Sequence, residues 1–161
     1  MKISNTHFPS HFQDFINALN KFDVEYMLIG GYAMGSYGHI RSTRDMDIYI
    51  NTTLENAKSL KKACIYYGIR EGNLDEEMFL VPKMVGIGDP PLRIKLLKEV
   101  GIVDFKYAFK RSIRKKVEGL EINVIGLEDL ELLKKEAIKS RKKSRDEEDL
   151  KFIQSLKNRD K

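Results

Sequence analysis

Two aspartates stand one residue apart, Asp45 and Asp47, at the start of the apolar run 45–50. This run alternates in a way that predicts a strand, and residues two apart on a strand point to the same face. Neighbouring carboxylates repel each other unless a cation lies between them, and oxygen ligands of this kind suit Mg²⁺ or Mn²⁺. The pair therefore predicts a divalent metal site, with Met46 and Ile48 turned towards the core.

A glycine pair, Gly30-Gly31, follows the short apolar run 25–29 and opens a short predicted helix at 32–37. Glycines let a phosphate approach the backbone, and the free N–H groups at a helix start favour anions. Thirteen residues separate Gly31 from Asp45, enough for a helix and a return. The glycines and the aspartates can therefore meet at one end of the sheet. A phosphate-binding turn beside a metal-binding pair of carboxylates is typical of enzymes that transfer phosphoryl or nucleotidyl groups.

The remaining periodicity predicts the elements that must position these residues. Apolar spacing indicates helices at 10–22, 54–67, 127–138 and 146–156, the second capped by Thr52 or Thr53. Further strands are predicted at 92–97 and in a hairpin, 113–117 with 120–125, around Glu118-Gly119. The segment 101–105 either extends the sheet or forms a turn. The order predicts a mixed α/β or α+β fold, with residues 1–161 as one domain.

Composition indicates a soluble protein of the cytoplasm. No apolar run approaches the roughly 18 residues that a bilayer span needs, and the first ten residues lack the apolar region of a signal peptide. Cys64 is the single cysteine, which excludes an internal disulfide and fits a reducing compartment. The net charge of +5 favours phosphate-bearing partners without naming one.

An ordered set of residues resembles the polymerase-β-like nucleotidyltransferase superfamily, in which a glycine turn and short helix precede Asp-x-Asp on the next strand. The fuller string resembles a narrower group of uncharacterised bacterial and archaeal nucleotidyltransferases, near the toxins of abortive-infection systems. It comprises Gly30, Gly31, Ala33, Gly38, Arg41, Thr43, Asp45 and Asp47, then Pro90-Pro91, Arg93-Ile94, Leu96-Leu97, Gly101, Phe105, Ala108, Glu128-Asp129-Leu130, Lys134, Asp146 and Asp149. The resemblance spans roughly residues 26–156 and implies a nucleotidyltransferase fold, a small mixed sheet flanked by helices, with further helices at the C-terminus.

The resemblance implies that an NMP passes from an NTP to a hydroxyl of an RNA, a protein or a small molecule, with two Mg²⁺ ions. Asp45 and Asp47 would be metal ligands and catalytic residues. The nucleotide would be held by Gly30, Gly31, Ser36, Arg41, Thr43, Arg44 and Lys134. A cognate partner protein, as in a toxin–antitoxin pair, and RNA are the further partners implied.

One position departs from the group's pattern, because Lys95 stands where a third carboxylate usually follows the Pro-Pro-x-Arg-Ile string. Either Asp104 replaces that carboxylate as a catalytic residue, or Lys95 enters the site and leaves a nucleotide-binding or partner-binding module without turnover. An ammonium beside Asp45 and Asp47 would weaken Mg²⁺ binding by repulsion.

Three plainer interpretations stay open at this point. In the first, the aspartates are solvated partners of Arg41 and Arg44. In the second, the basic run 134–145 is a solvated helix end and loop. The alternative for the same residues is a contact with RNA, a nucleotide base or a partner, and a basic RNA-binding accessory domain is a further hypothesis for the chain.

Overall fold

The structure is a computed structural model, and it describes residues 8–39, 44–141 and 144–159. In these residues, strands and α-helices follow each other in the order α1 (Ser10–Lys21), β1 (Tyr26–Ile29), α2 (Gly30–Ser36), β2 (Met46–Ile50), α3 (Leu54–Tyr67), β3 (Val85–Ile87), β4 (Ile94–Leu97), α4 (Phe105–Lys110), β5 (Ile113–Val117), β6 (Leu120–Val124), α5 (Leu127–Arg141) and α6 (Ser144–Arg159). Two short 3₁₀ helices, Glu71–Asn73 and Glu76–Phe79, connect α3 to β3.

The strands form one mixed sheet with the order β3-β4-β2-β1-β6-β5. The central strand β1 pairs antiparallel with β2 and parallel with β6, and β2 pairs parallel with β4. The edge strands β3 and β5 each pair antiparallel with their neighbour. Helices and a mixed sheet in this arrangement make an α+β fold, as the sequence predicts.

The two faces of the sheet differ in character. Leu28, Met46 and Ile48 are fully buried on the face where the Tyr26 hydroxyl donates to Asn20 of α1 over 2.9 Å. The opposite face carries Asp47 and Tyr49, because side chains alternate along β2. On this face the aspartates at the start of β2 line a cavity.

Tyr49 shows how the second face is packed at the far end of β2. Its ring meets the ring of Phe105 in α4 edge-on, with centroids 5.1 Å apart, and its hydroxyl donates to the Val103 carbonyl over 2.6 Å. The α4 helix and the turn before it therefore pack against this end of the strand.

The long helices and the hairpin agree with the sequence prediction. The α3 helix begins after Thr53, whose hydroxyl accepts from the Asn56 N–H over 3.1 Å. The hairpin turns at Glu118 and Gly119, both with positive φ. β3 and α4 were not predicted, because three and six residues are too short to give a clear period. Segment 101–105 forms a turn into α4 rather than a strand.

No helix in the described part of the chain is long and apolar enough to cross a bilayer.

Candidate functional site

The glycine turn and the aspartates meet at the junction of β1, α2 and β2. Gly30 has φ +72°, a conformation that side chains rarely adopt, and a Cβ built on it would lie 2.9 Å from Asp47 Oδ2. Ile29 and Asp47 are direct partners in the β1–β2 ladder. Glycine is therefore required at position 30 for two reasons, the backbone turn and the close approach of the Asp47 carboxylate.

Asp47 faces a lysine across the sheet. Asp47 and Lys95 are register partners in the parallel pair β2–β4, and Lys95 Nζ lies 3.6 Å from Asp47 Oδ1. No hydrogen-bond donor of the described residues reaches this buried oxygen. Burial raises the pKa of the Asp47 carboxyl above its usual range; the Lys95 ammonium opposes that rise and the Asp45 carboxylate adds to it.

Asp45 is held by Arg93, the residue just before β4. The Arg93 N–H donates to Asp45 Oδ1 over 3.1 Å, and its guanidinium donates to Asp45 Oδ2 over 3.3 Å. Both side chains are about a quarter exposed. Each of the two aspartates therefore has a cation of its own from the β4 segment.

Lys134 lies at the back of the site in a buried ionic cluster between α5 and α6. Its ammonium is 2.9 Å from Asp149 Oδ2 and 3.5 Å from Asp146 Oδ1, and all three residues are buried. The Arg141 guanidinium donates to both oxygens of Asp146 over 3.1 and 3.0 Å. His39 Nε2 lies 3.1 Å from Asp149 Oδ1. The cluster joins α6 to α5, and Lys134 and Asp47 line the same cavity.

These groups surround a cavity of about 420 Å³. It is lined by Gly30, Gly31, Arg44, Asp45, Asp47, Lys95, Lys134, Arg141, Arg145 and Asp146. Five of these side chains are cationic and three are carboxylates, so the wall carries an excess of positive charge. Such a wall, beside a glycine turn, can hold a polyanion.

Gly30 and five other residues that the sequence predicts for nucleotide or metal binding line this cavity together. The five are Gly31, Arg44, Asp45, Asp47 and Lys134. Arg41 and Thr43 lie outside the described residues.

Ser36 does not line this cavity. It ends α2, where its hydroxyl donates to the Ala33 carbonyl over 2.7 Å and its own carbonyl accepts from Lys115 Nζ over 2.9 Å. Its side chain is thus used within the helix end. The expected contact between Ser36 and a triphosphate has no counterpart in this geometry.

Asp104 is also placed elsewhere. It is the exposed residue before α4, and it lines another cavity with Tyr49 and Lys106 at the far end of β2. The register of the parallel pair β2–β4 explains why Asp104 is not beside Asp47, since Lys95 is the residue opposite Asp47. Lys95, and not Asp104, therefore lies beside Asp47 in the cavity.

Sequence reasoning gave no site role to Arg93 and Asp146, and it considered Arg141 and Arg145 only as part of the basic run 134–145. Arg93 stands two residues before Lys95, so alternation along β4 could have placed both beside the aspartates. Asp146 and Asp149 are three apart on α6 and share a face, a spacing that could have indicated a common partner. Nothing local in the sequence shows that this partner is Lys134.

The plainer interpretations change accordingly. Among the described residues, Arg93 and Lys95 lie beside the aspartates, whereas the predicted partner Arg44 is exposed on the cavity rim. The other predicted partner, Arg41, lies outside the described residues. Lys134 is not a solvated helix lysine, because only 7% of its surface is exposed. The carboxylates of Asp146 and Asp149, and not water, neutralise its charge.

The carboxylates of this site already lie beside cations. The described part of the chain contains no group of three or more His, Cys, Asp or Glu side chains placed to hold a metal. Asp45 is bonded to Arg93, Asp47 faces Lys95, and Asp146 is held by Lys134 and Arg141. Among the buried carboxylate oxygens of the described residues, Asp47 Oδ1 accepts no hydrogen bond.

No family model and no curated protein matches this chain.

Proposed function

We propose that this chain is a nucleotide-binding protein of the polymerase-β-like nucleotidyltransferase type, whose cationic pocket holds the triphosphate of an NTP. The observation that carries the proposal is the convergence of Gly30, Asp47, Lys95 and Lys134 on one cavity whose wall is net positive. The strand–glycine turn–helix–strand order that leads to Asp47 is the local arrangement that the family resemblance implies.

Charge favours a polyphosphate over a bare cation in this pocket. Each carboxylate that lines the cavity has a cation within 3.6 Å, and repulsion by this cation lowers the affinity of the carboxylate for Mg²⁺. Arg44 and Arg145 are exposed on the same wall, where their guanidinium groups can pair with phosphate oxygens in two parallel hydrogen bonds. The triphosphate would thus be neutralised largely by side chains, in the role that metal ions take in a two-metal enzyme.

Nucleotidyl transfer is the second candidate function. Asp45 and Asp47 lie side by side next to the glycine turn, and Asp47 Oδ1 accepts no hydrogen bond from the described residues, so one Mg²⁺ or Mn²⁺ arriving with an NTP could take this oxygen as a ligand. The acceptor would be a hydroxyl of an RNA, a protein or a small molecule, and a toxin–antitoxin partnership belongs to this candidate.

Calorimetric titration with NTPs, once with Mg²⁺ and once with EDTA, separates the two candidates. The first predicts binding in EDTA, and predicts that Asp45→Asn with Asp47→Asn keeps or strengthens it, because two negative charges leave the wall. The second predicts binding that needs Mg²⁺ and is lost in the same double variant. Absence of NTP binding under both conditions would contradict both candidates.

Two matched variants test the position of the triphosphate. Arg145→Ala removes a cation from the cavity wall, and Lys139→Ala removes an exposed cation of α5 that does not line the cavity. We expect the first to weaken NTP binding in EDTA about tenfold, the value of one charge-assisted contact. The second should have little effect.

Incubation of labelled NTPs with the protein and cellular RNA or lysate then tests for transfer of label. Because NTPs are abundant in the cytoplasm, the proposal includes a cytoplasmic location, which cell fractionation would check.

A further inference from the structure

A second cavity adjoins the cationic pocket and differs from it in chemistry. It has a volume of about 450 Å³ and shares the lining residues Gly30, Lys134 and Arg141 with that pocket. The rest of its wall is mostly aliphatic, contributed by Ile29, Val100, Leu130, Leu133 and Ala137. We refer to it as the apolar chamber.

Three separate segments build the apolar chamber. Ile29 comes from the end of β1, Val100 from the turn after β4, and the leucines and Ala137 from one face of α5. Residues 130, 133, 134 and 137 recur at helical spacing, so a single stripe of α5 supplies both the aliphatic wall and the Lys134 ammonium. The boundary between the two cavities therefore runs along one helix.

Glu136 fixes the far wall of the chamber. Its Oε1 accepts a hydrogen bond from the Ile102 N–H over 3.3 Å, and a Cβ at Gly101 would lie within 1.8 Å of the same oxygen. Gly101, at φ +52°, thus lets α5 and the turn after β4 close on each other. Ser140 adds a hydroxyl at the chamber's exposed end.

Arg141 stands where the two cavities meet. Asp146 holds its guanidinium in place, and half of the arginine side chain remains exposed. A guanidinium fixed in this way can bond a phosphate oxygen at its edge or stack its plane on an aromatic ring.

We propose that the apolar chamber binds the base and ribose of the same nucleotide whose triphosphate lies in the cationic pocket. This assignment rests on the proposed function. A nucleoside triphosphate has one polyanionic end and one flat end with apolar faces, and the two adjoining cavities offer a cationic wall and an aliphatic wall in the matching order. Ligand sites of this size are commonly aliphatic-walled with a few polar groups that set orientation.

The test compares each of the four common NTPs with inorganic tripolyphosphate, which carries the anion and lacks the nucleoside. Titrations are done in EDTA on the wild-type chain. We expect at least one NTP to bind roughly tenfold or more tightly than tripolyphosphate, because burying a base removes apolar surface from water.

Two variants then fill the chamber without touching the cations. Ala137→Leu enlarges an aliphatic wall residue, and Ser140→Leu does so at the exposed end, where a larger side chain threatens folding less. Both should lower NTP affinity to the tripolyphosphate level and leave tripolyphosphate affinity unchanged. Lys139→Leu, an exposed position outside both cavities, is the matched control and should retain the preference.

The outcomes separate this inference from the function on which it rests. Equal binding of NTPs and tripolyphosphate by the wild type, or an NTP preference that survives both filled variants, would overturn the chamber assignment alone. Equal weakening of both ligands in Ala137→Leu and Ser140→Leu would also overturn it, because the added leucines would then be acting on the phosphate pocket. If neither ligand binds the wild type, the proposed function itself fails.

Discussion

Reversing the charge at position 95 tests the central feature of the site. Lys95→Asp places a carboxylate on β4 directly across from Asp47, next to Asp45, and so supplies the third acidic group that the family pattern has at this position. Lys95→Met removes the ammonium without adding a charge and keeps the length of the side chain. The two variants therefore separate loss of repulsion from gain of a ligand.

The expected magnitude follows from Coulomb's law. Two unit charges about 4 Å apart interact by about 1 kcal/mol in water, so a divalent ion beside Asp47 would be repelled by the Lys95 ammonium by about 2 kcal/mol. Salt and the partial exposure of both side chains reduce this figure. We expect Lys95→Met to strengthen Mn²⁺ binding about tenfold, and Lys95→Asp to add roughly another factor of ten.

Titration of Mn²⁺ by calorimetry or electron paramagnetic resonance gives the order of affinity. Wild type should bind most weakly and Lys95→Asp most tightly. In the absence of metal, Lys95→Asp should melt at lower temperature than Lys95→Met, because three carboxylates then repel one another, and Mn²⁺ should remove most of the difference. Equal Mn²⁺ affinity in all three proteins would refute the assignment of Lys95 to the site.

The pKa of Asp47 supplies a second readout that needs no metal. Burial already raises this pKa and Lys95 opposes the rise, so Lys95→Met should raise it further, which carbon-detected NMR titration of the carboxyl can follow. An acid whose pKa is higher in the folded state stabilises the fold while it is protonated. Its contribution is therefore complete at low pH and is lost as pH rises through the folded-state pKa. Stability should fall with rising pH across this window, over a wider range in Lys95→Met than in wild type.

Two further substitutions test the groups around this pair. Lys134→Met should destabilise the fold by about 3–5 kcal/mol in a denaturant titration, because it leaves buried carboxylates of α6 without their ammonium. Lys135 is an exposed lysine 3.9 Å from Glu131, and Lys135→Met should cost under about 1 kcal/mol in the same titration. Gly30→Ala should cost more than Gly119→Ala in thermal melts, since both have positive φ but only the first meets another atom, Asp47 Oδ2 at 2.9 Å. Equal losses within either pair would contradict the contact invoked.

Local pattern was sufficient to predict most of the fold near the site. The alternation at 45–50, the glycine pair and the Thr53 cap each act through neighbours in the sequence, so the strand, the turn and the helix that they specify were found from the sequence. The pairing of β2 with β4 depends on residues 48 apart, and no local period encodes it. Sequence alone therefore left Lys95 and Asp104 as competing neighbours of Asp47.

The register of β2 against β4 decides whether Lys95 or Asp104 lies beside Asp47, and this neighbour affects which ligands the pocket can bind. A side chain opposite Asp47 must come from position 95, since the parallel β2–β4 ladder pairs these two residues and a shift by one residue would turn Lys95 to the buried face. With a carboxylate at that point, three acidic groups would converge and demand metal ions. With an ammonium there, the same backbone presents a wall in which each aspartate has a cation beside it, and Arg44 and Arg145 are the exposed cations that we propose bind a polyphosphate. On this proposal, a single side chain on β4 changes the ligand that the pocket prefers, while the strands that position it stay the same.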